Sequence, residues 1–127
     1  MKILIVEDNH INAKVLDMML NSLDFDYSTA FAENAEAALS VAEETVFDLI
    51  LMDINLGDGQ MTGTEVMKIL KEKEAYKQVP IFAVTCYSLP GDKEKFLAAG
   101  FDKYVSKPID KTLLLNEIKS ERSNSLT

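Results

Sequence analysis

Residues 49–59 read LILMDINLGDG, and this stretch carries the clearest indication of the fold. Four apolar residues run directly into Asp53, and a segment with two glycines follows. A short, continuous apolar run of this kind indicates a strand that is buried on both faces, as in a parallel sheet. A carboxylate at the end of such a strand is costly to bury unless it has partners. Asp53 is therefore a candidate functional residue, and its partners must come from other parts of the chain.

Four further runs indicate strands, and a segment with helical spacing follows each of the five. The strands are predicted at residues 2–6, 27–32, 48–52, 81–85 and 103–106. The helices are predicted at residues 10–23, 33–45, 63–73 and 90–99, and after Asp110. The spacing of four apolar residues predicts the first helix: Ile11, Val15, Met18 and Met19. Five alternations of strand and helix predict an α/β fold with a doubly wound, five-stranded parallel sheet.

The length of 127 residues, with 47% hydrophobic and 27% charged residues, fits a single globular domain. We assign residues 1–120 to this domain and residues 121–127 to a polar C-terminal tail that we expect to be frayed. The net charge of −8, without a basic stripe, argues against a nucleic-acid partner. The chain has no apolar run of the roughly 18 residues that membrane insertion needs. With no signal peptide and a single cysteine, Cys86, we expect a cytoplasmic protein.

Polar residues stand at the carboxyl ends of four predicted strands, and these ends meet at one edge of a parallel sheet. The residues are Glu7, Asp8, Asp53, Thr85 and Lys107. Crowded carboxylates repel one another, and Mg²⁺ relieves that repulsion because it prefers oxygen ligands at a solvated edge. Asp53 would then be both a metal ligand and a nucleophile toward phosphorus. Lys107 would give the phosphoryl group a positive charge, and Thr85 a hydroxyl.

Each of these residues, taken alone, has a plainer interpretation. Asp53 can be a turn aspartate, Asp8 can cap the first helix, and Lys107 can be a surface lysine. Thr85 can be an ordinary β-branched strand residue, and Cys86 a small hydrophobic one. We favour the functional interpretation of the site because several polar residues stand at the carboxyl ends of the predicted parallel strands.

Four motifs, in this order, resemble those of the response-regulator receiver domains of two-component signalling. They are VEDN at 6–9, DLILMDI at 48–54, AVT at 83–85 and YVSKPI at 104–109. The resemblance extends from residue 2 to about residue 119, and it is strongest to single-domain receivers of the DivK type and to receivers of hybrid kinases. It implies a flavodoxin-like (βα)5 fold of the CheY type with strand order 2-1-3-4-5.

The resemblance also implies a magnesium site around the phosphoacceptor, which corresponds to Asp53. Asp8 corresponds to a direct metal ligand, and Glu7 to a second acid that acts through metal-bound water. Asn55 corresponds to the residue whose backbone carbonyl completes the metal shell. Mg²⁺ is accordingly the expected cofactor.

The remaining implied roles concern switching and access to the site. Thr85 and Tyr104 correspond to the switch pair, and Lys107 to the lysine that meets the phosphoryl group. The bond between Lys107 and Pro108 corresponds to one that is often cis, which aims the lysine inward. Cys86 stands where the family commonly has a smaller residue, so we expect it to narrow access to the phosphoryl group.

One loop departs from the pattern of the family. Gly57 stands where receivers usually have proline, four residues after the phosphoacceptor. The glycine that opens the next helix corresponds to Gly63, so the loop 55–63 is about two residues longer than usual. We expect this difference to affect the lifetime of the phosphorylated protein.

The resemblance implies a phosphorylation-dependent signalling switch or phosphorelay carrier. A histidine kinase or a histidine phosphotransfer protein would donate the phosphoryl group, and a downstream protein would bind the face formed by residues 90–119. Such a protein is not an enzyme, apart from catalysing its own phosphorylation and slow dephosphorylation. One alternative is an interaction module that works without phosphorylation. Another is a phosphohydrolase of the haloacid-dehalogenase type, but that class carries DxDx(T/V) on its first strand, whereas DINL here follows the third.

Overall fold

Strands and helices alternate along the chain as predicted. The structure, a computed structural model, describes residues 1–56, 61–86 and 89–125. The strands within these residues are β1 (Lys2–Val6), β2 (Ser28–Ala32), β3 (Leu49–Asp53), β4 (Ile81–Thr85) and β5 (Lys103–Ser106). The helices are α1 (His10–Leu20), α2 (Ala35–Glu44), α3 (Gly63–Lys71), α4 (Asp92–Ala99) and α5 (Lys111–Ser125). No helix of the described part is long and apolar enough to cross a membrane.

All five strands are parallel and lie in the order β2-β1-β3-β4-β5, so the predicted order is confirmed. Val6 is opposite Met52, and Asp53 is opposite Val84. The carboxyl ends of β1, β3 and β4 are therefore level with one another at one edge of the sheet.

Two hydrophobic layers cover the sheet. Residues of α2, α3 and α4 pack on one face, and residues of α1 and α5 pack on the other. All five residues of β3 are buried, which explains the uninterrupted apolar run that ends at Asp53.

The apolar residues that predicted α1 lie mostly on its exposed side. Ile11 is 74% exposed, Met18 64% and Val15 44%. The buried side consists instead of Ala13, Leu16 and Leu20. Both sets have helical spacing, so the pattern predicts the helix but does not determine which side faces the core.

The last helix is longer than we expected. Asp110 caps α5, because its Oδ1 accepts a hydrogen bond from the amide of Leu113 at 3.1 Å. The helix then continues to Ser125, although residues 121–127 were expected to be frayed. The guanidinium carbon of Arg122 lies 4.4 Å from the centre of the Phe25 ring, a cation–π contact that stabilises the final turns.

Candidate functional site

The predicted site residues meet at the carboxyl edge of the sheet. Apart from Tyr76, the buried polar side chains of the described residues are Glu7, Asp53 and Thr85. One carboxylate oxygen each of Glu7, Asp8 and Asp53 lies within 4.8 Å of the other two. A soluble domain rarely buries polar groups without partners. Their concentration at one edge therefore marks this edge as the functional site.

The start of α1 leaves Asp8 available to a ligand. Asn9, rather than Asp8, is the N-cap of α1, and its side chain accepts a hydrogen bond from the amide of Asn12 at 3.0 Å. The interpretation of Asp8 as a helix cap is therefore wrong. Its exposed carboxylate lies beside the buried acids and is not needed to satisfy the helix.

The loop after β3 is held close to Asp53. The amide of Asn55 donates to Asp53 Oδ1 at 3.2 Å, and the amide of Gly63 donates to the carbonyl of Ile54 at 2.9 Å. A Cβ atom on Gly63 would collide with the carbonyl oxygen of Asp53 and stand 3.0 Å from the Cα of Ile54. Glycine at position 63 therefore allows α3 to begin directly against the end of β3. Gly57 and the rest of 57–60 lie outside the described residues.

Lys107 enters the site from the end of β5. Its backbone amide donates to the carbonyl of Thr85 at 2.8 Å, and the following bond to Pro108 is cis. Its Nζ lies 2.9 Å from Glu7 Oε1 and 3.7 Å from Asp53 Oδ2. The ammonium group thus bonds mainly to Glu7 while staying within reach of the phosphoacceptor candidate. Sequence reasoning did not identify Glu7 as the partner of Lys107, because side-chain pairing within a cluster of acids has no sequence signal.

The electrostatics of the cluster favour a bound cation. Burial, followed by the neighbouring Glu7 carboxylate, raises the pKa of Asp53 from 3.8 to about 7. Burial opposes ionisation of Glu7, but its interactions with Asp53 and with the Lys107 ammonium outweigh burial and lower its pKa. Burial and Glu7 raise the pKa of Asp8. Burial acts against the charged form of Lys107, but its hydrogen bond to Glu7 and the nearby carboxylates raise its pKa.

The donor set fits Mg²⁺. Glu7 Oε2 is buried and accepts no hydrogen bond from any described residue, although the other oxygen binds Lys107. A buried carboxylate oxygen normally has a partner. Three converging carboxylates, one of them solvent-exposed, provide the hard oxygen ligands and the open side that Mg²⁺ needs to keep several of its waters. Asp8 and Asp53 can bind such an ion directly, and Glu7 directly or through water.

The predicted switch and access residues lie at the end of β4 and on β5. Thr85 is 2% exposed at the end of β4, next to the exposed Cys86. Tyr104 is half-buried on β5, and its ring stacks on Phe96 of α4. Nothing in the sequence gives a reason to select Phe96, because an apolar residue in a short, largely polar helix does not by itself indicate a contact with Tyr104.

A cleft of about 270 Å³ adjoins Asp53. Glu7 and Lys107 also line it. Val15 from α1 and Pro108 from the loop after β5 are further lining residues, and both are exposed. The cleft therefore joins the acidic cluster to the exposed surface beside α1.

Comparisons with known proteins agree with this geometry. The model of the response regulator receiver domain family matches residues 3–119. The chain is 37% identical over 118 residues to the polar-differentiation response regulator DivK of Brucella anthropi, and the match covers 93% of each protein. The receiver domain of a sensor histidine kinase from Pseudomonas aeruginosa, with magnesium in its active-site cleft, has a TM-score of 0.81 at 34% identity and 94% coverage of both chains.

A second solved structure extends the comparison to a chemotaxis protein. The chemotaxis protein CheY4 of Vibrio cholerae has a TM-score of 0.81 at 28% identity, with 94% of this chain and 96% of that one covered. The family match spans nearly the whole chain, and the fold and the acidic edge are those that the motifs predicted. The chain therefore belongs to the response regulator receiver domain family.

Proposed function

We propose that the protein is a phosphorylation-dependent switch or phosphorelay carrier that receives a phosphoryl group on Asp53. The buried cluster of Glu7, Asp53 and Thr85 with Lys107 carries this proposal. Asp53 and Lys107 both line the cleft, and Lys107 Nζ lies 3.7 Å from Asp53 Oδ2, close enough to contact a phosphoryl group on Asp53. Receiver domains are signalling proteins rather than classical enzymes, so we propose no diffusible substrate. The single thiol of Cys86 also suits a cytoplasmic location.

The transfer itself requires little from the protein beyond position and charge. An Asp53 carboxylate oxygen forms a bond to phosphorus, and the phosphorus–nitrogen bond of a donor phosphohistidine breaks. The bonding electron pair leaves with the imidazole nitrogen. Lys107 stabilises the negative charge of the phosphoryl oxygens, and the Thr85 hydroxyl donates a hydrogen bond to one of them.

We propose that Mg²⁺ binds to Asp8, Asp53 and the backbone carbonyl of Asn55, with Glu7 acting through water. The unpartnered Glu7 oxygen and the three converging carboxylates support this assignment. The similar Pseudomonas receiver, which holds magnesium in its active-site cleft, also supports it. The ion would neutralise part of the charge on the transferring group.

The donor would be a histidine kinase or a histidine phosphotransfer protein that docks beside the cleft. Ile11, Val15 and Met18 form an exposed apolar stripe on α1, here named the α1 stripe. Val15 also lines the cleft, as does the exposed Pro108. An apolar surface beside the cleft can hold a donor protein while its phosphohistidine reaches Asp53.

We propose that the output uses a different face, formed by residues 90–119. Phosphorylated Asp53 would attract the Thr85 hydroxyl, and Tyr104 would move into the space that Thr85 leaves. Four lysines provide positive charge on this face: Lys93, Lys95, Lys103 and Lys111. Lys103 is paired with Glu117 at 3.1 Å, so the other three would contribute most to the attraction of an acidic downstream protein.

Phosphorylation with a small donor tests the assignment. The protein is incubated with acetyl phosphate and Mg²⁺, and intact-mass measurement should detect one added phosphoryl group that hydroxylamine removes. Asp53→Asn should not be labelled. Asp48→Asn is the matched control, because Asp48 lies just before β3, at the opposite edge of the sheet, and should leave labelling unchanged. Persistent labelling of Asp53→Asn would refute the role of Asp53.

A further inference from the structure

Phe96 lies between two other aromatic rings on the inner side of α4. The Tyr104 ring is stacked on it, with centroids 6.1 Å apart and planes 16° apart. The Phe101 ring meets it edge-on, with centroids 6.2 Å apart and planes 78° apart. Phe96 is 5% exposed and Phe101 3%, whereas Tyr104 is half-buried. The two buried rings are packed into the core, so they provide a firm support for the less buried tyrosine.

The sheet places Tyr104 on the same face as Thr85. Tyr104 is opposite Ala83 on β4, and Ser106 is opposite Thr85 two residues further along. Residues two apart on a strand point to the same side. A rotamer change that carries the Tyr104 ring towards Thr85 therefore also changes the position of that ring relative to Phe96. Because side-chain rotamers are about 120° apart, such a rotation breaks the ring stack rather than adjusting it.

We propose that Phe96 is a positioning residue for Tyr104, and that its ring holds Tyr104 against α4 in the unphosphorylated protein. This inference rests on the proposed switch. It also names the contact that determines the resting position of Tyr104. The stack stabilises the resting arrangement, so phosphorylation must overcome it before Tyr104 can move. An aromatic pair of this kind changes an equilibrium roughly two- to twelvefold, enough to bias a two-state switch without locking it.

The neighbouring charge strengthens the link to α4. The Lys95 ammonium lies 5.6 Å from the centre of the Phe96 ring, and Lys95 belongs to the proposed output face. Phe96 therefore contacts the switch tyrosine through its ring and adjoins a surface lysine in the same helix. Movement of Tyr104 would remove a contact of α4 itself, which connects the phosphorylation site to the surface that a downstream protein would bind.

The test compares Phe96→Leu with the matched control Phe101→Leu. Both variants replace a buried ring by an aliphatic side chain, but only Phe96 stacks on Tyr104. The Tyr104 ring signals and the backbone amide signals of Thr85 and Lys107 are recorded by NMR, with and without beryllofluoride and Mg²⁺, in the two variants and the wild type. The wild-type signals with and without beryllofluoride mark the two ends of the switch.

Without beryllofluoride, the Thr85 and Lys107 amide signals of Phe96→Leu should lie closer to their beryllofluoride positions, with the resting population reduced roughly two- to twelvefold relative to the active one. These amides are used because loss of the Phe96 ring shifts the Tyr104 ring signals directly. Phe101→Leu should stay at the wild-type position. Phe96→Tyr keeps the ring and should also behave as wild type. If Phe96→Leu does not fold, Phe96→Met fills a similar volume without a ring and carries the same prediction.

Two results would overturn the proposal, and they differ. If wild-type Tyr104 responds to beryllofluoride but Phe96→Leu matches Phe101→Leu, the switch exists and Phe96 does not position it. If wild-type Tyr104 does not respond at all while Asp53 binds beryllofluoride, the proposed switch itself is wrong, and Phe96 has nothing to position.

Discussion

Replacement of Asp53 by asparagine should stabilise the metal-free fold at neutral and alkaline pH. Asp53 is 7% exposed, and burial beside Glu7 raises its pKa from 3.8 to about 7. That difference of about three pH units, at roughly 1.4 kcal/mol for each, corresponds to at most about 4 kcal/mol of unfavourable charge. Relaxation and water entry reduce this cost, so we expect a gain of about 2–4 kcal/mol near pH 8.

The pH dependence identifies the cause of the gain. The folded protein holds the Asp53 proton more tightly than the unfolded chain does. Protonation of Asp53 therefore stabilises the fold, and this stabilisation is fully present below about pH 4. The stabilisation is lost as the pH rises to about 7. The free energy of unfolding of the wild type should therefore fall through this window relative to that of Asp53→Asn. The two proteins should be nearly equal near pH 4 and differ most near pH 8.

Urea unfolding in the presence of a chelator measures this difference at several pH values. Asp48→Asn removes an exposed aspartate, keeps an oxygen that can accept the hydrogen bond from the Lys2 amide, and should not reproduce this pH-dependent gain. Saturating Mg²⁺ should stabilise the wild type and leave Asp53→Asn nearly unchanged, because the ion stabilises only a fold that can bind it. A constant difference between wild type and Asp53→Asn from acid to alkaline pH would refute the electrostatic reasoning.

Three further predictions concern single residues. Gly63→Ala should destabilise the fold by about 2 kcal/mol in urea unfolding, because the added Cβ would push against the Asp53 carbonyl. The same variant should be labelled more slowly by acetyl phosphate. A variant as stable as the wild type would contradict this prediction. Tyr76→Phe should cost about 1–3 kcal/mol, since the hydroxyl bonds three backbone groups beside α2; labelling should be unchanged. Cys86→Ala should shorten the half-life of the phosphorylated protein by opening the site to water, and an unchanged half-life would exclude Cys86 from controlling access.

The order of the strands and the proximity of the three acidic residues could be predicted, because both depend on features that can be read directly from the amino-acid sequence. Alternating apolar runs indicate the elements, and parallel strands necessarily bring Glu7, Asp8 and Asp53 to one edge. The motif order then supplied the strand order by resemblance. These features depend on which residues stand at strand ends and not on how individual side chains pack.

The features that escaped prediction depend on packing. Two sides of α1 have apolar residues at helical spacing, and the choice between them is made by contact with α5 and the sheet. Asn9 and Asp8 are both good caps, and only the backbone geometry selects Asn9. Likewise, Lys107 pairs with Glu7 rather than Asp53, although its distances to the two carboxylates differ by less than an ångström.

The α1 stripe also affects how the protein behaves at high concentration. An apolar strip that is open to water attracts other copies, and repulsion between like-charged molecules opposes that attraction. The chain carries a charge of −8 at pH 7, but its isoelectric point is near 4.6. Acidification therefore removes the repulsion while the stripe remains. Colloidal stability is consequently lowest near pH 4.6, and a clear, concentrated sample should turn turbid on acidification towards that value.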